Sequence, residues 1–275
     1  MQIKFTLLIV SVIFAFICGA ASNEIAVIAH RGNSSVAPEN TLAAFRSAWE
    51  NGIKCIELDV HRTKDDALVC IHDSHFKRLS PGADKTPVRE MTLAEVKKFD
   101  VGKKKGEKFI GEKVPTLEEV LAILPKDVTI FLEMKEVPDD FPLTLMGLLK
   151  KYNIPQKQIV VISFKSKYLI RLNEISPGFK TLLLSGIGNS KKNPAVPAIS
   201  AEKLIARLKK FGVNGIDCAI GTAVTREYVQ KVQAAGFEFH VWTIDKPEDV
   251  QRVKALGVNG ITTNRPVFVK KILAE

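Results

Sequence analysis

The sequence predicts an α/β chain that closes as a TIM (β/α)8 barrel, with a small subdomain inserted after the second strand. Short β-branched runs alternate with stretches of helical period, which is the pattern of βα units around a parallel sheet. Eight such runs are present, starting at residues 25, 55, 129, 159, 181, 215, 238 and 260. Successive starts lie 22 to 34 residues apart, except for a gap of 74 after the second. The length of 275 residues is compatible with one unit of this kind, since α/β barrels of roughly 200–250 residues fold as single domains.

The elements follow in order. Ile25–Ala29 is the first strand, and Thr41–Trp49 the first helix, with Asn40 as its expected N-cap and Pro38 stiffening the turn before it. Cys55–Val60 is the second strand, returning through the turn Lys64-Asp65-Asp66 into Ala67–Ile71 as a hairpin. Residues 74–116 form the insertion: eleven Lys/Arg against six Asp/Glu, a Pro81-Gly82 turn, the run Lys103-Lys104-Lys105, and Gly102, Gly106 and Gly111 suggest a loop-rich cap at the barrel mouth. Strands at Thr129–Met134, Ile159–Ser163, Thr181–Leu184, Gly215–Cys218, Glu238–Ile244 and Gly260–Thr263 complete the eight. Amphipathic stretches at Leu117–Leu124, Tyr168–Ile175, Ala201–Phe211, Arg226–Ala234 and Glu248–Leu256 supply helices, with Gly52, Gly212, Gly236 and Gly257 standing where helix stops are expected. An open doubly wound sheet is the alternative, but no G-x-G-x-x-G follows the first strand.

Composition narrows the class. With 46% hydrophobic and 25% charged residues the chain can bury a large core, which excludes disordered, collagenous and disulfide-dense types. Residues 1–21 read as a secretory signal peptide: Lys4 precedes an apolar run from Phe5 to Cys18, and small residues follow. About 14 apolar residues fall short of the ~20 that span a bilayer, so no stable membrane anchor is expected and the mature chain 22–275 is expected to be exported. That chain carries Cys55, Cys70 and Cys218, an odd number within apolar runs, which favours buried thiols over a disulfide framework. The formal charge of the whole chain is +10. A basic rim suits an anionic substrate, whereas the scarcity of aromatics among the charges gives little support to nucleic-acid binding.

Polar residues gather at strand ends. His30-Arg31-Gly32 closes the first strand, and Glu57 and Asp59 lie two apart on the second, so the period of two points both carboxylates to one face. Such carboxylates in an apolar parallel strand call for an ion pair or a cation. His72-Asp73 ends the hairpin return, and Glu133 and Lys135 repeat the i, i+2 pattern on the third strand. Each signal alone has a structural explanation, but their convergence on C-terminal strand ends marks the catalytic face of a barrel. Three carboxylates suit Ca²⁺ or Mg²⁺ rather than Zn²⁺. Such a cation with Arg31 and Lys135 would neutralise a phosphate, while two histidines could divide base and acid duty in phosphodiester hydrolysis.

These residues, together with Pro38-Glu39-Asn40-Thr41-Leu42, Pro115-Thr116-Leu117-Glu118-Glu119, Val241-Trp242-Thr243 and Gly260-Ile261-Thr262-Thr263-Asn264-x-Pro266, resemble the glycerophosphodiester phosphodiesterase family over essentially the whole chain after residue 22. The resemblance implies a divalent metal held by Glu57, Asp59 and Glu133, catalysis by His30 and His72, phosphate contacts from Arg31 and Lys135, and Trp242 lining the pocket for the glycerol or alcohol moiety. It further implies hydrolysis of glycerophosphocholine or glycerophosphoethanolamine to sn-glycerol 3-phosphate and an alcohol. The alternatives are a lysophospholipase D or a cyclising phospholipid phosphodiesterase and, from another class, a catalytically silent phospho-polyol binding protein. Asn264 departs from the family pattern, where many members carry Asp.

Overall fold

A computed structural model describes residues 24–275; the expected signal peptide lies outside the described residues. Eight parallel strands close into a ring: β1 (Ala26–Ala29), β2 (Cys55–Arg62), β4 (Thr129–Glu136), β5 (Ile159–Ser163), β6 (Lys180–Ile187), β7 (Gly215–Ile220), β8 (Glu238–Val241) and β9 (Gly260–Thr263). Closure is made by β1, which pairs with β9 in the register Ala26↔Gly260 and with β2 in the register Ile28↔Cys55. A short strand β3 (Leu68–Cys70) runs antiparallel to the end of β2, with Val60 opposite Cys70. The fold is thus a TIM barrel with an insertion after its second strand.

Helices α1 (Leu42–Glu50), α3 (Leu117–Ala122), α4 (Phe141–Lys151), α5 (Ser166–Ile175), α6 (Ala201–Phe211), α7 (Arg226–Ala234), α8 (Pro247–Leu256) and α9 (Pro266–Ala274) form the outer layer, and α2 (Leu93–Val96) is a single turn within the insertion. Alternation along the strands sorts the core into two shells. Ile56, Leu58, Leu132, Val161 and Phe239 pack outward against the helices, whereas Ile28, Phe131, Val160, Ile162, Leu182 and Leu184 fill the barrel interior. The insertion has its own apolar centre of Val69, Ile71, Phe76, Val88, Met91, Val96, Val101 and Val114, capped by Phe76 stacked on Phe99 at 4.1 Å.

Several boundaries differ from the sequence reading. Thr41, not Asn40, caps α1: its side chain accepts from the Ala44 N–H, and Asn40 is drawn away by a tertiary partner. The eighth barrel strand stops at Val241 rather than Ile244, and β6 runs to Ile187, well beyond Leu184. Helices α4 and α9 were not among those the periodicity nominated, because their sequences FPLTLMGLLKK and PVFVKKILA are apolar enough to blur the amphipathic stripe. Cys55, Cys70 and Cys218 are all free thiols, the last two buried.

Candidate active site

The strand ends of the first half of the barrel deliver their polar side chains to one mouth. His30 follows β1, Glu57 and Asp59 lie on β2, His72 follows β3, and Glu133 and Lys135 lie on β4. A cleft of about 150 Å³ is lined by His30, Arg31, Glu57, His72, Glu133 and Lys135 on one side, and by Ile162, Phe164, Leu184, Asp217, Trp242 and Thr262 on the other. Asp59 sits just behind this wall, so all eight residues singled out in the sequence occupy one neighbourhood.

The turn after β1 is shaped by two consecutive left-handed residues, Arg31 (φ 56°) and Gly32 (φ 80°). A Cβ at position 32 would stand 2.6 Å from the Ala44 carbonyl carbon, so only glycine fits against α1. This turn aims the Arg31 N–H at Glu57 Oε2, 2.8 Å away. The Arg31 guanidinium reaches Glu39 Oε1 at 2.9 Å and lies 3.4 Å from Asp59 Oδ2, where its Nε makes no hydrogen bond. Asn40, also left-handed, donates to Asp59 Oδ2 at 2.7 Å and accepts from the Asp59 N–H at 3.2 Å. Its role is therefore to hold a site carboxylate, a contact between elements that local capping rules do not reveal.

Glu57, Asp59 and Glu133 are buried, and one oxygen from each lies within 4.8 Å of the others. Three carboxylates this close cannot all stay ionised without nearby positive charge. Burial and then Asp59 push Glu57 well above its ordinary range, and the same two causes push Glu133 up to about 8. Burial would also raise Asp59, but Lys135 and then Arg31 hold it down to about 2. Lys135 sits 2.8 Å from Glu133 Oε1 and 3.2 Å from Asp59 Oδ1, an oxygen that is fully buried and accepts no hydrogen bond. The trio could hold a metal ion.

The two histidines are held differently. Asp245 Oδ2 accepts from the Asn264 side-chain N–H at 2.7 Å, which turns the amide oxygen toward His30 Nδ1 at 2.8 Å. An amide oxygen only accepts, so His30 carries its proton on Nδ1 and leaves Nε2 bare. Burial and then Arg31 lower His30 to about 4. His72 Nδ1 instead meets Asp73 Oδ1 at 2.7 Å. Arg78 ties that carboxylate to Glu39, with 2.8 Å to Asp73 Oδ2 and 2.7 Å to Glu39 Oε2, so a chain of hydrogen bonds runs from His72 to Arg31. Trp242 stands edge-on to Phe164 with ring centroids 5.8 Å apart and donates its indole N–H to the Asp217 carbonyl at 3.1 Å.

Sequence reasoning missed Arg78, Asp245, Asp217 and Phe164. None belongs to a spaced pattern; each is a single side chain placed by tertiary packing.

Known proteins resemble this chain along most of its length. The profile of the "Glycerophosphoryl diester phosphodiesterase family" matches residues 30–267. A glycerophosphodiester phosphodiesterase of Caldanaerobacter subterraneus subsp. tengcongensis is 35% identical over 244 residues, covering 87% of this chain and 94% of that protein. A Silicibacter pomeroyi crystal structure superposes with a TM-score of 0.80 at 26% identity, covering 91% of this chain and 93% of that one. An Oleispira antarctica phosphodiesterase, solved in complex with the product sn-glycerol-3-phosphate, shares the fold at a TM-score of 0.76 and 24% identity, with 90% of this chain and 96% of that one covered.

Proposed function

The chain belongs to the glycerophosphoryl diester phosphodiesterase family, and from that premise we propose that it hydrolyses deacylated glycerophosphodiesters such as glycerophosphocholine to sn-glycerol 3-phosphate and an alcohol. In this reading His30 and His72 move the protons, and Glu57, Asp59 and Glu133 hold Ca²⁺ or Mg²⁺. The observation that carries it is the meeting of two oriented histidines, a buried acidic trio and two cations in one cleft.

The donor set fits a hard cation: three buried carboxylates and no sulfur ligand, with one Asp59 oxygen free of hydrogen bonds. When bound, such an ion supplies positive charge that stabilises the phosphoryl oxygens in the transition state. The chain's own residues do the rest. Arg31, which lines the cleft, and Lys135, held between Asp59 and Glu133, bind the phosphate. His30, neutral at pH 7, takes the proton of the attacking oxygen at its bare Nε2. His72, with Nδ1 fixed by Asp73, gives a proton from Nε2 to the leaving alkoxide. Trp242 and Phe164 shield the organic part of the substrate from water.

Export is part of the same proposal, resting on the signal-like residues 1–21. Mass spectrometry of the secreted protein, showing a new N-terminus near residue 22, tests it. The activity is tested by enzyme-coupled detection of glycerol 3-phosphate with Ca²⁺ and Mg²⁺ each supplied; no release from any glycerophosphodiester overturns the reading.

A further inference from the structure

Where β7 and β9 reach the cleft, on either side of β8, each contributes a polar side chain with an atom that has no hydrogen-bond partner. Asp217 on β7 is 1% exposed and Thr262 on β9 is 2% exposed, and both line the cleft. Asp217 Oδ1 and Thr262 Oγ1 are fully buried without a hydrogen bond. Neither neighbour bonds the carboxylate: Trp242 donates to the Asp217 backbone carbonyl, and His240, opposite Asp217 on β8, turns its Nε2 to Glu238 Oε2 at 2.9 Å and keeps a buried Nδ1 that is likewise without a partner. The adjoining wall, Leu184 on β6 and Ile162 on β5, is apolar. Buried polar atoms are normally paired, so a vacant acceptor and a vacant hydroxyl lining one cleft call for a ligand with matching atoms.

We propose that Asp217 and Thr262 form a hydroxyl-reading floor, which receives the free hydroxyls of the substrate's glycerol moiety and so restricts the site to deacylated diesters. The chemistry selects this occupant. An alcohol both donates and accepts: it gives its proton to the Asp217 carboxylate and takes one from the Thr262 hydroxyl. A quaternary ammonium has no proton to give and no lone pair to offer Thr262. An acyl chain or a bare alkyl group leaves both protein atoms desolvated and unpaired. Burial, opposed by His240, raises Asp217 to about 6, so it remains mainly an ionised acceptor at neutral pH. A site built to bind a buried hydroxyl discriminates strongly against analogues that lack it. In the proposed mechanism neither residue moves a proton; their contribution is specificity.

This inference rests on the phosphodiesterase reading, and calorimetry separates the two. Binding of sn-glycerol 3-phosphate and of n-propyl phosphate, which lacks both hydroxyls, is measured on the full protein and on Asp217→Leu and Thr262→Val, each near its parent in shape. The expected result is at least about a tenfold preference for glycerol 3-phosphate in the parent, falling to within about threefold of unity in each variant. Thermal melting accompanies the titration. Removing an unpaired buried carboxylate should leave Asp217→Leu as stable as the parent or more so, whereas a structural carboxylate would make it melt lower. A parent with no preference, or variants that keep the parent's ratio, overturns the floor. A preference that behaves as expected in a protein releasing nothing from glycerophosphodiesters leaves the floor standing and removes the catalytic reading instead.

Discussion

His30 and His72 both have Nδ1 engaged, one by an amide oxygen and one by a carboxylate, and in the proposed mechanism they take opposite duties. Replacing either with alanine should lower kcat by about 10²–10⁴-fold while cation binding stays near the parent value. The double variant should lose far less than the product of the two, because both act in one proton-transfer sequence. Glu133→Gln should do the reverse, weakening cation affinity with activity partly restored by excess metal. Steady-state kinetics beside calorimetric titration distinguishes these outcomes; near-full turnover in both alanine variants would end the assignment. The acidic trio also makes a pH prediction. Glu133, raised to about 8, is mostly protonated at pH 7 and must lose its proton to ligate, so binding should release protons and affinity should climb from pH 6 to 8. Titrations in buffers of different ionisation enthalpy measure the release, and an affinity flat over that range would contradict it. The carboxylates themselves were legible in the sequence because a period of two fixes their common face. Asn40 was misread because its partner lies on β2, Asp217 belongs to no spaced pattern, and Thr262 stands in the run Gly260–Pro266, which does not show that its hydroxyl is left unpaired.

Elements show the same division. Strand alternation and the βα rhythm were readable, since each strand must be apolar on both faces between the barrel interior and the helices. The end of β8 was not: Val-Trp-Thr-Ile has strand composition, yet beyond Val241 the chain turns so that Asp245 can accept from the Thr263 hydroxyl and the Asn264 N–H, both at 2.8 Å. The turn between β1 and α1 is the element most exposed to a single substitution. Gly32→Ala meets a left-handed φ and a backbone atom at 2.6 Å, neither of which a side chain can evade, so the turn must shift and carry the Arg31 N–H off Glu57. A cost of roughly 1–3 kcal/mol is expected, lowering Tm by several degrees and weakening cation binding. A melt indistinguishable from the parent would show that the turn yields without strain.

At the scale of the molecule, residues 74–116 carry a net +5 beside the mouth. Part of that charge is structural: Lys104 Nζ donates to the Arg78 carbonyl at 2.6 Å, and Lys105 Nζ to the Ser34 and Ser35 carbonyls at 2.6 and 2.9 Å, pinning the insertion to the turn after β1. Lys97 is likewise paired with Glu119, and Lys113 Nζ donates to the Lys98 carbonyl at 3.0 Å, so Lys77, Lys85, Lys98 and Lys103 are left to attract an anionic diester. Raising ionic strength should therefore lower kcat/KM more than kcat, because screening acts on encounter. A kcat/KM unchanged over a tenfold range of salt would reduce these lysines to a solvated face. Sequence composition revealed the excess charge but not which lysines were already committed, since that depends on carbonyls of a distant loop.

The ring is sealed where the first strand meets the last, and the hydrogen bond that sets the His30 tautomer spans that seam, joining residues 234 apart. The acidic trio lies on β2 and β4, neighbours whose register is fixed early in the chain, and its supports Arg31 and Asn40 come from the turn after β1. Refolding should thus restore the two properties on different clocks: cation binding with the first half of the barrel, turnover only once the last strand docks and the largest loop in the molecule has closed. Stopped-flow recovery monitored by a cation-sensitive probe and by product release would show the lag, and simultaneous return of both would mean that the barrel assembles in one step.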